Sequence, residues 1–233
     1  MHQLSATAVR RRFLALTALR WLPVGLLFPL LALLPIERGL TLSQVGLAFA
    51  VQGIVVLVLE LPTGGLADAM GRRPVLLLAG LIGLGSLALM FFADTFATFA
   101  VSYGLQGVYR ALDSGPLEAW YVDASLEADS EAAIDRGLSA AGVATGISIS
   151  AGALAGGGLI ALGGIGPVEA LAVPIVVALL VKLVDLGAVA LLMHEARPSG
   201  RVTSAARAAL DTPKAIADGV RLLRHSPVLL SIV

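Results

Sequence analysis

The sequence predicts an all-α, polytopic membrane protein with six transmembrane helices, and three observations support this. Hydrophobic residues make up 58% of the 233 positions, charged residues make up only 14%, and the mean hydropathy is +0.91. A soluble domain cannot bury that much apolar surface, so lipid must solvate it. The apolar residues also fall into stretches of about 20 residues, the length that a helix needs to cross a bilayer.

The charge balance and the cysteine count exclude several function classes. The formal net charge is zero, which argues against a nucleic-acid partner. The chain contains no Cys, so disulfides, thiol chemistry and Cys-ligated metals are excluded. We expect no cofactor and no metal site.

The elements follow one another with short polar turns between them. The predicted spans cover residues 13–36, 43–63, 74–93, 97–122, 139–163 and 168–193. Residues 1–12 are predicted to form a cytoplasmic N-terminus, and residues 194–226 to form a cytoplasmic central loop with an amphipathic helix. Residues 227–233 look like the start of a truncated seventh span. Pro23, Pro29 and Pro35 in the first span and Pro116 in the fourth can break or kink their helices.

The distribution of basic residues predicts the orientation. In the six-span arrangement, twelve basic residues lie on one side of the membrane and only Arg38 lies on the other. Cytoplasmic loops carry the excess of Lys and Arg, so we expect a cytoplasmic N-terminus and a location in the inner (plasma) membrane.

Ionisable residues inside the spans are the candidates for a substrate or coupling cavity. A charge at the bilayer centre is costly and usually faces a cavity or a partner. In the fourth span, Arg110, Asp113 and Glu118 fall on one side of the helix. Arg110 and Asp113 could instead only neutralise each other. Arg20 in the first span is a fourth candidate, although it could also extend to the membrane interface.

A further pair of charges lies in the sixth span. Lys182 and Asp185 are three residues apart, a spacing that lets them contact each other on one helix. Mutual neutralisation is the simpler interpretation of this pair, and a role in coupling is the alternative.

A charged motif joins the second and third predicted spans. It runs Gly64-Gly65-Leu66-Ala67-Asp68-Ala69-Met70-Gly71-Arg72-Arg73-Pro74. The order of Gly, Asp, Gly and two Arg resembles the loop between helices two and three of major facilitator superfamily transporters. That resemblance implies the N-terminal six-helix half of a twelve-helix transporter.

The resemblance also implies roles for particular residues. Members of the family often have an Arg in the fourth span, and Arg110 is similar to it. They often have an acid at the cytoplasmic end of that span, which Asp123 supplies. The implied conformational latch consists of Gly64, Asp68, Gly71, Arg72, Arg73, Asp123 and Glu60.

The fifth span is rich in glycine at four-residue spacing. Small residues at this spacing let helices approach closely. The predicted packing positions are Gly142, Gly146, Gly152, Gly156 and Gly157. The segment from Gly152 to Gly157 also resembles a motif of drug/proton antiporters, with Ala153 in place of the proline.

The function that follows is secondary active transport of a small molecule by alternating access, with proton-coupled efflux of a drug or metabolite as the favoured form. The partners are then the lipid bilayer, the solute, protons, and a C-terminal six-helix half that is missing from this chain. The first alternative is a truncated or non-transporting membrane interaction protein. The second is an intramembrane hydrolase using Ser114, but no histidine lies mid-span to act as its base, so we expect no enzyme activity.

Overall fold

The computed structural model describes residues 5–166 and 168–194, except for the side chains of residues 61, 62, 64, 65, 68 and 69. Residues 195–226 of the predicted central loop and the predicted seventh span at 227–233 lie outside these. The described residues form eight α-helices and no β-strand, which confirms the all-α fold. The helices are α1 (Ala6–Leu27), α2 (Leu30–Glu37), α3 (Leu42–Met70), α4 (Arg72–Phe92), α5 (Phe96–Asp113), α6 (Pro116–Ala128), α7 (Ile134–Ala161) and α8 (Val173–Leu192).

Five stretches of the described chain are long and apolar enough to cross a membrane. They are Ala6–Glu37, Leu42–Glu60, Arg72–Phe92, Ile134–Ala161 and Ala170–Leu192. The predicted fourth span is not among them, because it is divided into α5 and α6 and carries three charged residues. That α5 and α6 cross the bilayer together stays a prediction. Residues 6–12 are not a separate tail, because α1 begins at Ala6.

Proline and glycine break the first and fourth predicted spans. The first span is interrupted at Phe28 and Pro29, so that α2 begins at Leu30. In the fourth, Gly115 has a φ of +95°, which favours glycine, and Pro116 is the first residue of α6. Phe28 and Pro29 keep helical backbone angles, whereas Ser114 and Gly115 place non-helical backbone where a regular span was expected. Membrane proteins tolerate such backbone where protein or a cavity surrounds it.

The charged motif is mostly helical, which corrects the predicted loop. Helix α3 continues through Gly64 to Met70, and Gly71 alone separates it from α4. Gly71 has a φ of +93° and its N–H caps α3 by donating to the carbonyl of Ala67. A single glycine with positive φ is therefore enough to end one helix and begin the next.

The helices pack so that α1 and α5 are central. Helix α1 contacts α7, α8 and α6, whereas α5 lies against α3 and α4, and α4 joins the two groups through α8. Polar contacts support the α4–α5 packing: the hydroxyl of Ser86 donates to the carbonyl of Ser102 at 3.0 Å, and the hydroxyl of Ser102 donates to the carbonyl of Ser86 at 2.9 Å. This arrangement brings the faces of α1, α5 and α8 together.

The one basic residue predicted on the far side of the membrane has a structural role. Arg38 donates to the carbonyl oxygens of Phe91 at 2.9 Å and Ala93 at 2.6 Å, at the end of α4. These carbonyls have no partner within the helix, so the guanidinium caps α4.

Candidate functional site

Arg20 is the centre of a buried charge cluster. It lies roughly four turns into α1 and its side chain is 5% exposed. Its Nη1 lies 3.0 Å from Oδ1 of Asp113, and its Nη2 lies 3.9 Å from Oδ2 of Asp185. The alternative that Arg20 extends to the membrane interface is therefore wrong. The guanidinium instead bridges carboxylates from α5 and α8.

Lys182 completes the cluster from α8. Its Nζ lies 3.8 Å from Oδ2 of Asp185 and donates to the hydroxyl of Tyr109 at 2.5 Å. The predicted contact between Lys182 and Asp185 is present, but Asp185 also faces Arg20. Two cations and two carboxylates thus balance one another. Buried charges require such pairing, because an isolated ion would pay a large desolvation penalty.

Asp113 and Arg110 have different partners. They lie one turn apart in α5, but Asp113 turns towards Arg20, and no ion pair joins it to Arg110 among the described side chains. The guanidinium of Arg110 instead lies 5.9 Å from the centre of the Trp21 ring. The intrahelical neutralisation considered for this pair is therefore wrong, because α1 supplies a better-placed cation.

A cavity of about 290 Å³ adjoins the cluster. It lies between α1 and the break that separates α5 from α6. Its walls contain predicted site residues and several others: Thr17, Arg20, Trp21, Val24, Tyr109, Arg110, Asp113, Ser114, Gly115, Leu117 and Glu118. All four residues predicted for the substrate or coupling cavity therefore line one space. Its volume is close to the lower end of the range typical of small-molecule sites, about 300–1,000 Å³.

The predicted latch residues are only partly brought together. Nη1 of Arg72 lies 2.8 Å from Oδ2 of Asp123, which joins the start of α4 to α6. Arg73 donates from Nη2 to the carbonyl of Ala190 at the end of α8, at 2.5 Å. The side chain of Asp68 lies outside the described residues. Glu60 is exposed and lies about 16 Å along α3 from Gly71, so it does not reach the Arg72–Asp123 pair.

The glycines of α7 divide into two groups. A Cβ placed on Gly152 would lie 2.5 Å from the carbonyl oxygen of Leu22, and one on Gly156 would collide with the carbonyl of Leu26. These two positions therefore face α1 closely. For three other glycines, the described chain offers no packing partner within 4 Å of such a Cβ: Gly142, Gly146 and Gly157. They point away from the rest of the helices described, so their predicted packing role finds no support there.

Among the cavity-lining residues that the sequence did not predict, two aromatic residues contact the charged groups. Tyr109 is buried and accepts from Lys182, and Trp21 faces Arg110. Tyr109 is one turn before Asp113, and Trp21 directly follows Arg20. Their closeness in sequence to charges within the spans could have indicated that they belong to the site. Aromatic residues are ordinary in apolar spans, and nothing else in the pattern distinguishes these two.

These features define a multi-pass α-helical membrane protein whose buried charges meet beside a solute-sized cavity. The chain belongs to the Major Facilitator Superfamily, whose family profile matches residues 13–233. A separate search of curated proteins found no significant match. Because the superfamily is a family of membrane transporters, membership confirms the predicted class of function, transport across a membrane.

Proposed function

We propose that the protein is a secondary active transporter that moves a small molecule by alternating access, as the N-terminal part of a longer transporter. The observation that carries this proposal is the cavity between α1 and the α5–α6 break, with Arg20, Asp113, Arg110 and Glu118 in its wall. Charged groups in a membrane domain are retained when they face a solute pathway or each other. The cavity wall contains charges that face each other, Arg20 and Asp113, and charges that face the cavity, Arg110 and Glu118.

Discontinuous helices also favour this function. The fourth span breaks at Ser114 and Gly115, and this break forms part of the cavity wall. Broken helices near the centre of a membrane domain are a common way to build solute sites in transporters. We propose that rocking of the helix bundle exposes this wall to each side of the membrane in turn.

Cysteine accessibility tests the proposal cleanly, because the chain has no native Cys. Ser114→Cys changes one atom of a cavity-lining residue, and Leu154→Cys provides a control on a helix face that is 79% exposed and outside the cavity. Each variant is expressed in the full-length protein and treated with a membrane-impermeant thiol reagent, in right-side-out and in inside-out vesicles. We expect Ser114→Cys to react from both sides.

Reaction of Ser114→Cys from one side only, under all solute and pH conditions, would contradict alternating access. Equal reaction of Leu154→Cys and Ser114→Cys in each preparation would show that the reagent crosses the bilayer, and a larger impermeant reagent would then be required.

We further propose that protons drive the cycle outward, as efflux, and that Asp113 is the proton site. Asp113 is 16% exposed on the cavity side while its carboxylate faces Arg20. Protonation would weaken this ion pair and free the guanidinium to approach Asp185. The balance between the two access states is read from the ratio of the Ser114→Cys labelling rates from the two sides, because each rate alone rises with pH as the thiol ionises. This ratio should depend on pH. Adding Asp113→Asn should make the ratio independent of pH, whereas the exposed control Asp129→Asn should not.

The Arg72–Asp123 pair is the best-supported part of the proposed cytoplasmic latch. It joins α4 to α6 at the end of the bundle that carries most of the basic residues. We propose that this end is cytoplasmic, in the inner membrane, and that the pair forms in one access state and separates in the other. Asp68 is proposed as a further member on the basis of the sequence motif alone.

A further inference from the structure

The charges of the cavity wall and of the buried cluster beside it separate into those that are compensated by neighbours and those that are not. Arg20, Lys182, Asp113 and Asp185 carry two positive and two negative charges and contact one another within 4 Å. They require no charge from a solute, because their sum is zero.

Two wall charges remain outside that cluster. Arg110 and Glu118 are both exposed and both line the cavity, and among the described side chains neither forms an ion pair. They have opposite signs. A solute with only a positive or only a negative charge would pair with one of them and leave the other without a counter-charge beside the bound solute, which costs free energy because the solute displaces water from both groups.

We infer that this cavity binds a zwitterionic solute, with its anionic group at Arg110 and its cationic group at Glu118. This inference rests on the proposed transport function and specifies its substrate class. Trp21 lies beside the anionic end, since the guanidinium carbon of Arg110 is 5.9 Å from the centre of the Trp21 ring, and a guanidinium offers five N–H donors to a carboxylate. A compact solute with one apolar group suits a cavity of about 290 Å³ whose remaining wall includes Val24 and Leu117.

The test compares one carbon skeleton in three charge states. L-Phenylalanine is zwitterionic at neutral pH, its methyl ester is a cation, and its N-acetyl derivative is an anion. Leucine and glutamine, with the same two derivatives of each, extend the test to other side chains. Binding is measured by calorimetry on the purified full-length protein in detergent. We expect at least one zwitterion to bind more tightly than both of its derivatives, by about 10- to 100-fold, the range for losing one charged hydrogen-bond partner.

Charge-removing variants locate the two ends of the solute. Arg110→Gln should weaken zwitterion binding about 10- to 100-fold and reverse the preference towards the ester, and Glu118→Gln should reverse it towards the N-acetyl form. Arg136→Gln and Glu127→Gln remove exposed charges of the same types outside the cavity and should leave affinity unchanged. The proposal is overturned if no zwitterion of the three binds below 10 mM (on the order of the weakest specific affinities), if every zwitterion that binds is matched by one of its own derivatives, or if the control variants act like the cavity variants.

The outcome separates this inference from the proposed function. Two-sided labelling of Ser114→Cys without preference for a zwitterion would leave alternating access standing and reject the substrate class. Zwitterion binding that depends on Arg110 and Glu118, together with one-sided labelling, would retain the binding site and reject alternating access.

Discussion

Removing the guanidinium of Arg20 should destabilise the protein more than any other single charge removal at this site. Arg20 contacts Asp113 at 3.0 Å and Asp185 at 3.9 Å. With an effective dielectric constant of about 20, unit charges at these distances attract by about 5.5 and about 4.3 kcal/mol, before the cost of desolvation is subtracted. Breaking a buried pair by removing one partner costs about 3–5 kcal/mol net, and we expect Arg20→Leu to fall in that range.

The balance of charges in the cluster predicts that a second substitution restores part of the stability lost in Arg20→Leu. Arg20→Leu leaves two carboxylates facing the single cation Lys182, whereas Arg20→Leu with Asp113→Asn leaves Lys182 and Asp185 balanced. The double variant should therefore recover at least about 1.5 kcal/mol relative to the sum of the single changes. Arg10→Leu, an exposed position on the same helix, is the matched control and should change stability by less than about 0.5 kcal/mol.

The assay is thermal and denaturant unfolding of the purified full-length protein in one detergent, followed by circular dichroism. Additive effects of Arg20→Leu and Asp113→Asn would refute the argument, because they would show that the 3.0 Å contact carries no coupling energy. A loss no larger than that of Arg10→Leu would refute it as well.

Three further predictions concern packing, backbone conformation and the latch. Gly156→Ala should destabilise by about 1–3 kcal/mol in the same unfolding assay, because its Cβ meets the backbone of α1, whereas Gly142→Ala should be neutral or slightly stabilising. Gly115→Ala should cost about 1–2 kcal/mol because of the positive φ, and a neutral result would show that the break relaxes without strain. Arg72→Asp should slow the thiol labelling of Ser114→Cys in the cavity, and adding Asp123→Arg should restore the labelling rate. Failure of this charge swap to restore the rate would argue against a pairwise role for the contact.

The span assignments illustrate what composition and periodicity can predict. Long apolar stretches bounded by turn residues predicted α3, α4, α7 and α8 to within several residues, because the membrane imposes both length and apolarity. Threonine caps also mark starts of helices: Thr41 and Thr95 each accept from the backbone N–H three residues later. These signals are local, so a sequence displays them directly.

The charged motif shows where local signals mislead. Two adjacent glycines and an Asp were interpreted as a loop, yet α3 runs through them to Met70. Glycine permits a turn without requiring one, and packing around the helix decides between the two conformations. The assignment of Glu60 to the latch was wrong for the same reason. Glu60 is close to the motif in sequence, but it lies about three helical turns from Gly71 along α3.

The sequence by itself determined that this is a multi-pass membrane protein of a transporter family, and that Arg20, Arg110, Asp113 and Glu118 are unusual within their spans. Only the tertiary structure decided that Asp113 pairs with Arg20 and not with Arg110, and that Lys182, Asp185 and Tyr109 join the same cluster. The physical reason is that hydropathy and helical spacing are properties of one segment. The partner of a buried charge is chosen among α1, α5 and α8 by how those helices pack, and no single segment contains that information.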